Sequence, residues 1–292
     1  MRTRTVGTPG GAKLRALREG ARRTQLWVEV EAGLGTGYLQ RVESGRVAQP
    51  ERATLERILT ALEARYSERR EVLELFGYLV VTPLPTEAEI AWACEVCQRE
   101  LHEVPFPAYV LDCTHRLLVW NQYVPYLFGV APDDPTLGGL ARQSILAPWF
   151  DPGSLLAPLV AEPDAFLPAL IRAMRYEMQQ FHTEAWYEAV LAPLQALPRF
   201  RHYWAVVEQE PALASAARAL VPVRLTRPST GLLQFRLSSE HFGRDARFRL
   251  VYYFPADPAT MHQCAAWAAS SRAVPSWIYY TYPQWANHPL AS

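Results

Sequence analysis

The residues best equipped for reactive chemistry are Cys94 and Cys97, whose Cys-x-x-Cys spacing serves zinc binding or dithiol exchange. Zinc needs four ligands, and no second Cys-x-x-Cys or paired histidines follow at a suitable distance. On a helix the two thiols would simply share a face, and four cysteines in 292 residues make no disulfide framework. The seven histidines, His102, His115, His182 and His202 among them, are scattered and form no His-Glu-x-x-His. Neither a Gly-x-Ser-x-Gly elbow nor a glycine-rich phosphate loop is present. Glu100 with Glu103, and Asp133 with Asp134, are acid neighbours of an ordinary solvated surface. No metal, no cofactor and no enzymatic activity are expected.

The chemistry that remains is binding. Residues 1–70 carry 14 Lys and Arg against 8 Asp and Glu; totals of 29 and 29 leave 15 against 21 for the rest, so a formally neutral chain splits into +6 and −6. A basic segment ahead of an acidic body suits a polyanion partner for the first part only. Almost all the positive charge is arginine, Lys13 being the sole lysine. Half the residues are hydrophobic and 12% aromatic, enough for a substantial core. No run of 18 apolar residues suggests a membrane span, the start Met1-Arg2-Thr3-Arg4 lacks the apolar stretch of a signal peptide, and a cytoplasmic location is expected.

The elements that would position such contacts follow from periodicity. Residues 1–10, rich in Thr, Gly and Pro, suggest a flexible arm. From Lys13 to about Tyr66 the pattern is that of roughly five short helices: Thr24 can cap one, Gly33 allows a tight turn, Gly45 suits a left-handed helix end, and Leu55, Ile58, Leu59 and Leu62 share one face. Pro83-Leu84-Pro85 is the expected linker. Beyond it come a helix from about Thr86 to His102, strands at 108–112 and 116–120, a short helix capped by Asn121 and ending at Gly129, helices over 155–220, and strands at 231–237 and 247–254. The order suggests an α+β chain: a helical domain over 11–82, an antiparallel sheet with packed helices over 86–262, and an unassigned tail over 263–292.

The run Thr24 to Gly45, with Thr24-Gln25-Leu26-Trp27-Val28-Glu29 before Gly33 and Thr36-Gly37-Tyr38-Leu39-Gln40-Arg41 after it, resembles the helix-turn-helix of the XRE (Cro/repressor-like) family, and the likeness extends from Leu14 to Leu62. The resemblance implies that Thr36, Gly37 and Gln40 face base edges with Tyr38 alongside. It places Arg41, Arg46 and Arg15 near phosphates and Gln25 on the DNA backbone. Glu29 stands where the family has a small Ala, so its carboxylate has to turn outward or find a partner such as Arg41. Gly35 replaces the usual Ser or Thr cap, and Gly37 weakens a helix interior by about 1 kcal/mol.

From about Glu100 to Asp257 the chain resembles the ligand-binding domain of MmyB-like regulators. The likeness is carried by Pro107–Asp112, Leu118-Val119-Trp120-Asn121, Leu127-Phe128-Gly129, the segment Leu146–Pro152, Phe200-x-x-x-Trp204, Arg227–Leu233 and Leu250–Ala256. Val207 and Arg227 stand where the family has histidines. The resemblance implies a PAS-like fold with a pocket between sheet and helices, and a long-chain fatty acid as ligand. Candidate lining residues are Tyr109, Trp120, Phe128, Trp149, Met174, Met178, Phe181, Trp204, Phe235 and Tyr252, which could equally be plain core. A carboxylate head calls for arginine, whose planar fork holds it bidentately: Arg175 first, then Arg142, then Arg227, with His182 behind them. Paired half-sites would require a homodimer on double-stranded DNA. Two alternatives stay open: an interaction module whose helix-turn-helix no longer binds DNA, and an enzyme acting on an acyl substrate.

Overall fold

The computed structural model describes residues 8–131, 134, 139, 144–209, 220–227 and 230–271. The chain forms two compact units that meet in sequence between Thr82 and Pro83.

The first unit is five helices: α1 (Pro9–Gly20), α2 (Gln25–Glu31), α3 (Tyr38–Glu43), α4 (Arg52–Ala61) and α5 (Tyr66–Leu75). Thr8 caps α1 by accepting from Gly11 N, and Thr24 caps α2 by accepting from Trp27 N at 3.1 Å. Gly33 and Gly45 take the left-handed backbone conformation that their turns require. Leu14, Val28, Leu39, Val42, Leu55, Ile58 and Leu59 form the centre of the core. The expected flexible arm is shorter at its inner end, because Pro9 and Gly10 are already helical. Proline suits the first helical turn, where no N–H is needed, and the glycine lets the ring of Phe76 approach: a Cβ on Gly10 would meet it at 2.6 Å.

The second unit opens with α6 (Glu87–Glu103), capped by Thr86 in a reciprocal box with Glu89. It continues through β1 (Ala108–Asp112), β2 (Leu117–Trp120), α7 (Val124–Phe128), α8 (Ala147–Phe150), α9 (Pro163–Met178), α10 (Tyr187–Gln195), α11 (Pro198–Glu208), β3 (Val221–Arg227), β4 (Gly231–Phe242), β5 (Asp245–Pro255) and α12 (Pro258–Ser271). The strands form one antiparallel sheet in the order β2-β1-β5-β4-β3. Together the two units make an α+β chain.

Strand β3 falls between the helical stretch expected to end at 220 and the strand expected to start at 231, where periodicity predicted no element. Its alternation places Val221, Val223 and Leu225 inward, and Pro222 is tolerated because β3 lies at the sheet edge. Helix α12 crosses the domain end expected at 262, burying Cys264 and Trp267 in the main core, with Trp267 stacked on Tyr126 at 5.9 Å.

The sheet is covered on both faces. On one, α6 packs Ile90, Ala93, Cys97 and Leu101 against the side of the sheet that carries Val110, Phe248, Leu250 and Tyr252. On the other, the larger cluster joins Tyr109, Leu111, Val251 and Tyr253 of the sheet to α7, α8, α9 and α11. The buried stripe of α9, Leu167, Ile171, Met174 and Met178, follows helical spacing.

Candidate functional sites

In the first unit, α2 and α3 are joined through a left-handed Gly37, which stands as the cap residue of α3. No side chain on the cap residue itself serves α3. Glu29 does so instead: its carboxylate is buried and accepts from Gly37 N at 3.0 Å and Leu39 N at 2.8 Å. The carboxylate therefore turns inward rather than outward or to Arg41, and it supplies the acceptor that Gly35 and Gly37 lack. A second buried carboxylate, Glu43, accepts from Arg18 Nε at 2.7 Å, Arg18 Nη2 at 3.0 Å and Gln25 Nε2 at 2.7 Å, with Arg15 Nε at 3.5 Å. Gln25 thus directs its amide N–H into the fold, and the role expected for it on the DNA backbone competes with this bond.

Thr36, Gln40, Arg41 and Arg46 are exposed on and around α3. Tyr38 is half-buried, and the Arg41 guanidinium lies 5.6 Å from its ring centre. Thr36 and Gly37 precede the helix rather than lying within it.

In the second unit the structure gathers most of the expected ligand residues into one apolar body. Tyr109, Trp120, Phe128, Trp149, Met174, Met178 and Phe235 all belong to the main cluster, with Trp204 at its edge. Edge-to-face contacts run from Phe128 to Trp149 at 6.3 Å and on to Phe166 at 5.4 Å. Phe200 and Trp204 of the Phe-x-x-x-Trp motif stack at 5.5 Å. Phe181 is buried against Trp186 at 5.4 Å. Tyr252 is different: strand alternation turns it to the α6 face, where its hydroxyl donates to Glu100, so it cannot line a cavity shared with Tyr109 and Tyr253.

The expected head-group residues do not converge. Arg175 sits over the Trp204 ring at 5.1 Å, His182 bonds the Gln179 carbonyl at 2.6 Å on the surface, and Arg142 lies outside the described residues. Arg227 packs beside Gly129, whose Cβ would meet its Nη2 at 3.2 Å, and its Nη1 is buried without a hydrogen-bond partner. Asn121 acts as a staple and not as the cap of α7: its Oδ1 accepts from Ala108 N at 3.2 Å and Tyr123 N at 3.3 Å, and its Nδ2 donates to the Phe106 carbonyl at 2.8 Å. A surface crevice of about 290 Å³ at the start of α9 reaches Phe166 and Phe235 of this body, with the Arg224–Glu162 ion pair (2.6 Å) on its wall.

Sequence reasoning passed over a charged constellation on the helix-covered side of the sheet. Arg249 is 2% exposed and pairs through Nη1 with Glu177 Oε2 at 3.1 Å. His115, also 2% exposed, has its Nε2 3.8 Å from the same oxygen, and its backbone is left-handed at φ +64°. The signal available in the sequence was slight: Arg249 stands between Phe248 and Leu250, one alternate position from Arg247, in a strand whose second half is apolar.

Burial, aided by the nearby Arg249 guanidinium, holds His115 well below the usual histidine value, so the native ring stays neutral where a free one would take up a proton. A group depressed in the native state favours unfolding once the unfolded chain protonates. Stability is therefore expected to fall as the pH drops below about 6.5, by up to about 1.4 kcal/mol per pH unit. Melting temperatures from pH 7 to pH 5 should show this decline, flattened in His115→Asn, since asparagine tolerates the left-handed backbone. An equal decline in both proteins would assign it to other groups.

The Cys94 and Cys97 thiols lie on the α6 face toward the sheet, where burial pushes them up to about 11 and about 12 and keeps them protonated at neutral pH. Among the described residues no group of three His, Cys, Asp or Glu could hold a metal ion, and no helix is long and apolar enough to cross a membrane.

A helix-turn-helix with an open α3 surface, followed by a sheet and helices enclosing an apolar body, defines a DNA-binding transcription regulator with a ligand-binding domain. The family model of the MmyB-like transcription regulator ligand binding domain matches residues 95–266, more than half the chain, and that of a helix-turn-helix domain matches residues 11–72. The chain belongs to the MmyB-like transcription regulators. No curated protein matches it.

Proposed function

We propose that this regulator is a homodimer that reads double-stranded DNA through α3 and binds a long-chain fatty acid, as a regulatory ligand rather than a cofactor, in its second unit. The observation that carries the reading is the junction, in one chain, of an α3 that exposes Gln40 and Arg41, Thr36 being exposed just before it, with a domain whose apolar cluster is rich in aromatic side chains and includes Met174 and Met178. Gln40 has the amide geometry to pair with adenine, while Arg41, Arg46 and Arg15 supply sequence-independent phosphate contacts. Thioether side chains adapt to a flexible acyl chain, and aromatic rings give it apolar contact area. The ligand can shift DNA affinity only by its differential affinity for two dimer geometries.

Selection of duplexes from a random pool with the whole chain should return a two-part motif with half-sites about one DNA turn apart. Gln40→Ala should relax one position of that motif, and Arg46→Ala should weaken all duplexes alike and reduce the salt slope. No enrichment and no salt dependence would favour the interaction-module alternative. Mass spectrometry of an organic extract from denatured protein is expected to release a fatty acid near one per chain. An extract without lipid would leave the apolar cluster as core.

A further inference from the structure

We propose that Arg249 receives the carboxylate of the bound amphiphile, with His115 as a second donor and Glu177 as the intramolecular group it displaces. The inference rests on the acyl-ligand reading above and names the place of the head group; of the arginines and histidine expected there, Arg175, Arg227 and His182 do not converge on one point, and Arg142 lies outside the described residues.

Arg249 is nearly fully buried, yet among the described residues only one of its nitrogens has a partner. Nη1 donates to Glu177, while Nε and Nη2 have no hydrogen-bond partner. Those two atoms form one side of the guanidinium fork, the side that matches the two oxygens of a carboxylate. Both ring nitrogens of His115 are likewise buried and unpartnered. Unsatisfied buried donors are costly, and so is a left-handed backbone at a residue other than glycine. Their coincidence around one buried cation is what a recognition site requires and what a stable core avoids.

The surroundings fit an amphiphile's head. On β1, Leu111 stands opposite Arg249 in the register and faces the main apolar cluster. Glu177 precedes Met178 on α9, at the end of the Met174 and Met178 stripe. The Tyr109 and Tyr253 hydroxyls meet at 3.3 Å close enough for the Arg249 charge to act on Tyr109. Arg227, the other arginine among the described residues with a buried unpaired nitrogen, has one such atom and stands beside Gly129. Glu177 is the residue able to yield, since its side chain is 14% exposed at the last turn of α9 and can swing toward water.

The test is a fluorescence titration of the whole chain with cis-parinaric acid and with its methyl ester, which keeps the acyl chain and removes the charge. The acid is expected to bind at least about tenfold more tightly than the ester. In Arg249→Gln this ratio should fall to near one. In Glu177→Gln it should rise several-fold, because the competing carboxylate is gone. Should Arg249→Gln fail to fold, Glu177→Gln decides, and an unchanged ratio there overturns the proposal. Equal binding of acid and ester by the natural protein overturns the head-group site while keeping the acyl pocket. Binding of neither overturns the acyl-ligand reading itself.

Discussion

Replacing Glu43 by alanine is expected to destabilise the helix-turn-helix unit by about 3–5 kcal/mol, the usual cost of leaving a buried charge without its partner. The side chain of Glu43 is wholly buried and that of Arg18 is 11% exposed, so water replaces the bonds at 2.7 and 3.0 Å only in part, beside the contacts Arg18 keeps with the Arg23 carbonyl and Glu19 at its exposed edge. The deletion also strands the Gln25 amide. Because a small helical domain has only a modest margin, denaturant unfolding should show this unit melting first or unfolded outright. Glu43→Gln, which keeps acceptor geometry but loses the charge, should fall between. A loss below about 1 kcal/mol would mean that Arg18 finds solvent readily in the native state.

The second large effect is expected at Glu29. Glu29→Ala removes the acceptor for two N–H groups at the start of α3, Gly37 and Leu39, of which the second is buried. Loss of a helix cap costs about 0.5–2 kcal/mol and an unsatisfied buried donor about 1–3 kcal/mol. A destabilisation of about 2–3 kcal/mol is expected, with a matching loss of DNA affinity as α3 frays. A drop in DNA affinity separates a working cap from a tolerated intrusion. Stability and DNA binding both unchanged in Glu29→Ala would refute the capping role.

The same residue shows where sequence reasoning stops. The helix-turn-helix was legible because its signals are local: Thr24 as a cap, Gly33 and Gly45 at turns, and the stripe from Leu55 to Leu62. Glu29 could be seen as a departure, but its partner lies in backbone N–H groups eight and ten residues on, and no spacing rule names a backbone donor. Strands β1, β2, β4 and β5 were likewise legible from runs of β-branched and aromatic residues. Strand β3 was not, because Pro222 counts against a strand until its edge position is known. Helix α12 escaped because its small apolar residues, Cys264-Ala265-Ala266-Trp267-Ala268-Ala269, run on without marking one face at helical spacing. For the ligand domain, composition pointed to the aromatic body but could not assign faces. One residue's shift along β5 separates Tyr252 on the α6 side from Tyr253 on the other. Arg249 was passed over for the same reason: its inward direction follows from register, not from its type.

Strand β5 has neighbours on both sides of the sheet at once. Tyr252 bonds Glu100, and Arg247 bonds Glu89 at 2.6 Å and the Pro83 carbonyl at 3.2 Å, so the strand is fastened to both ends of α6 and to the start of the second unit. Through Arg249, Val251 and Tyr253 it is fastened to α9 and the apolar body. Close-packed interiors transmit displacement rather than absorb it. A repacking on one side of the strand therefore bears on the packing of the other, and Arg247 ties that balance to Pro83 and to Glu89 near the start of α6.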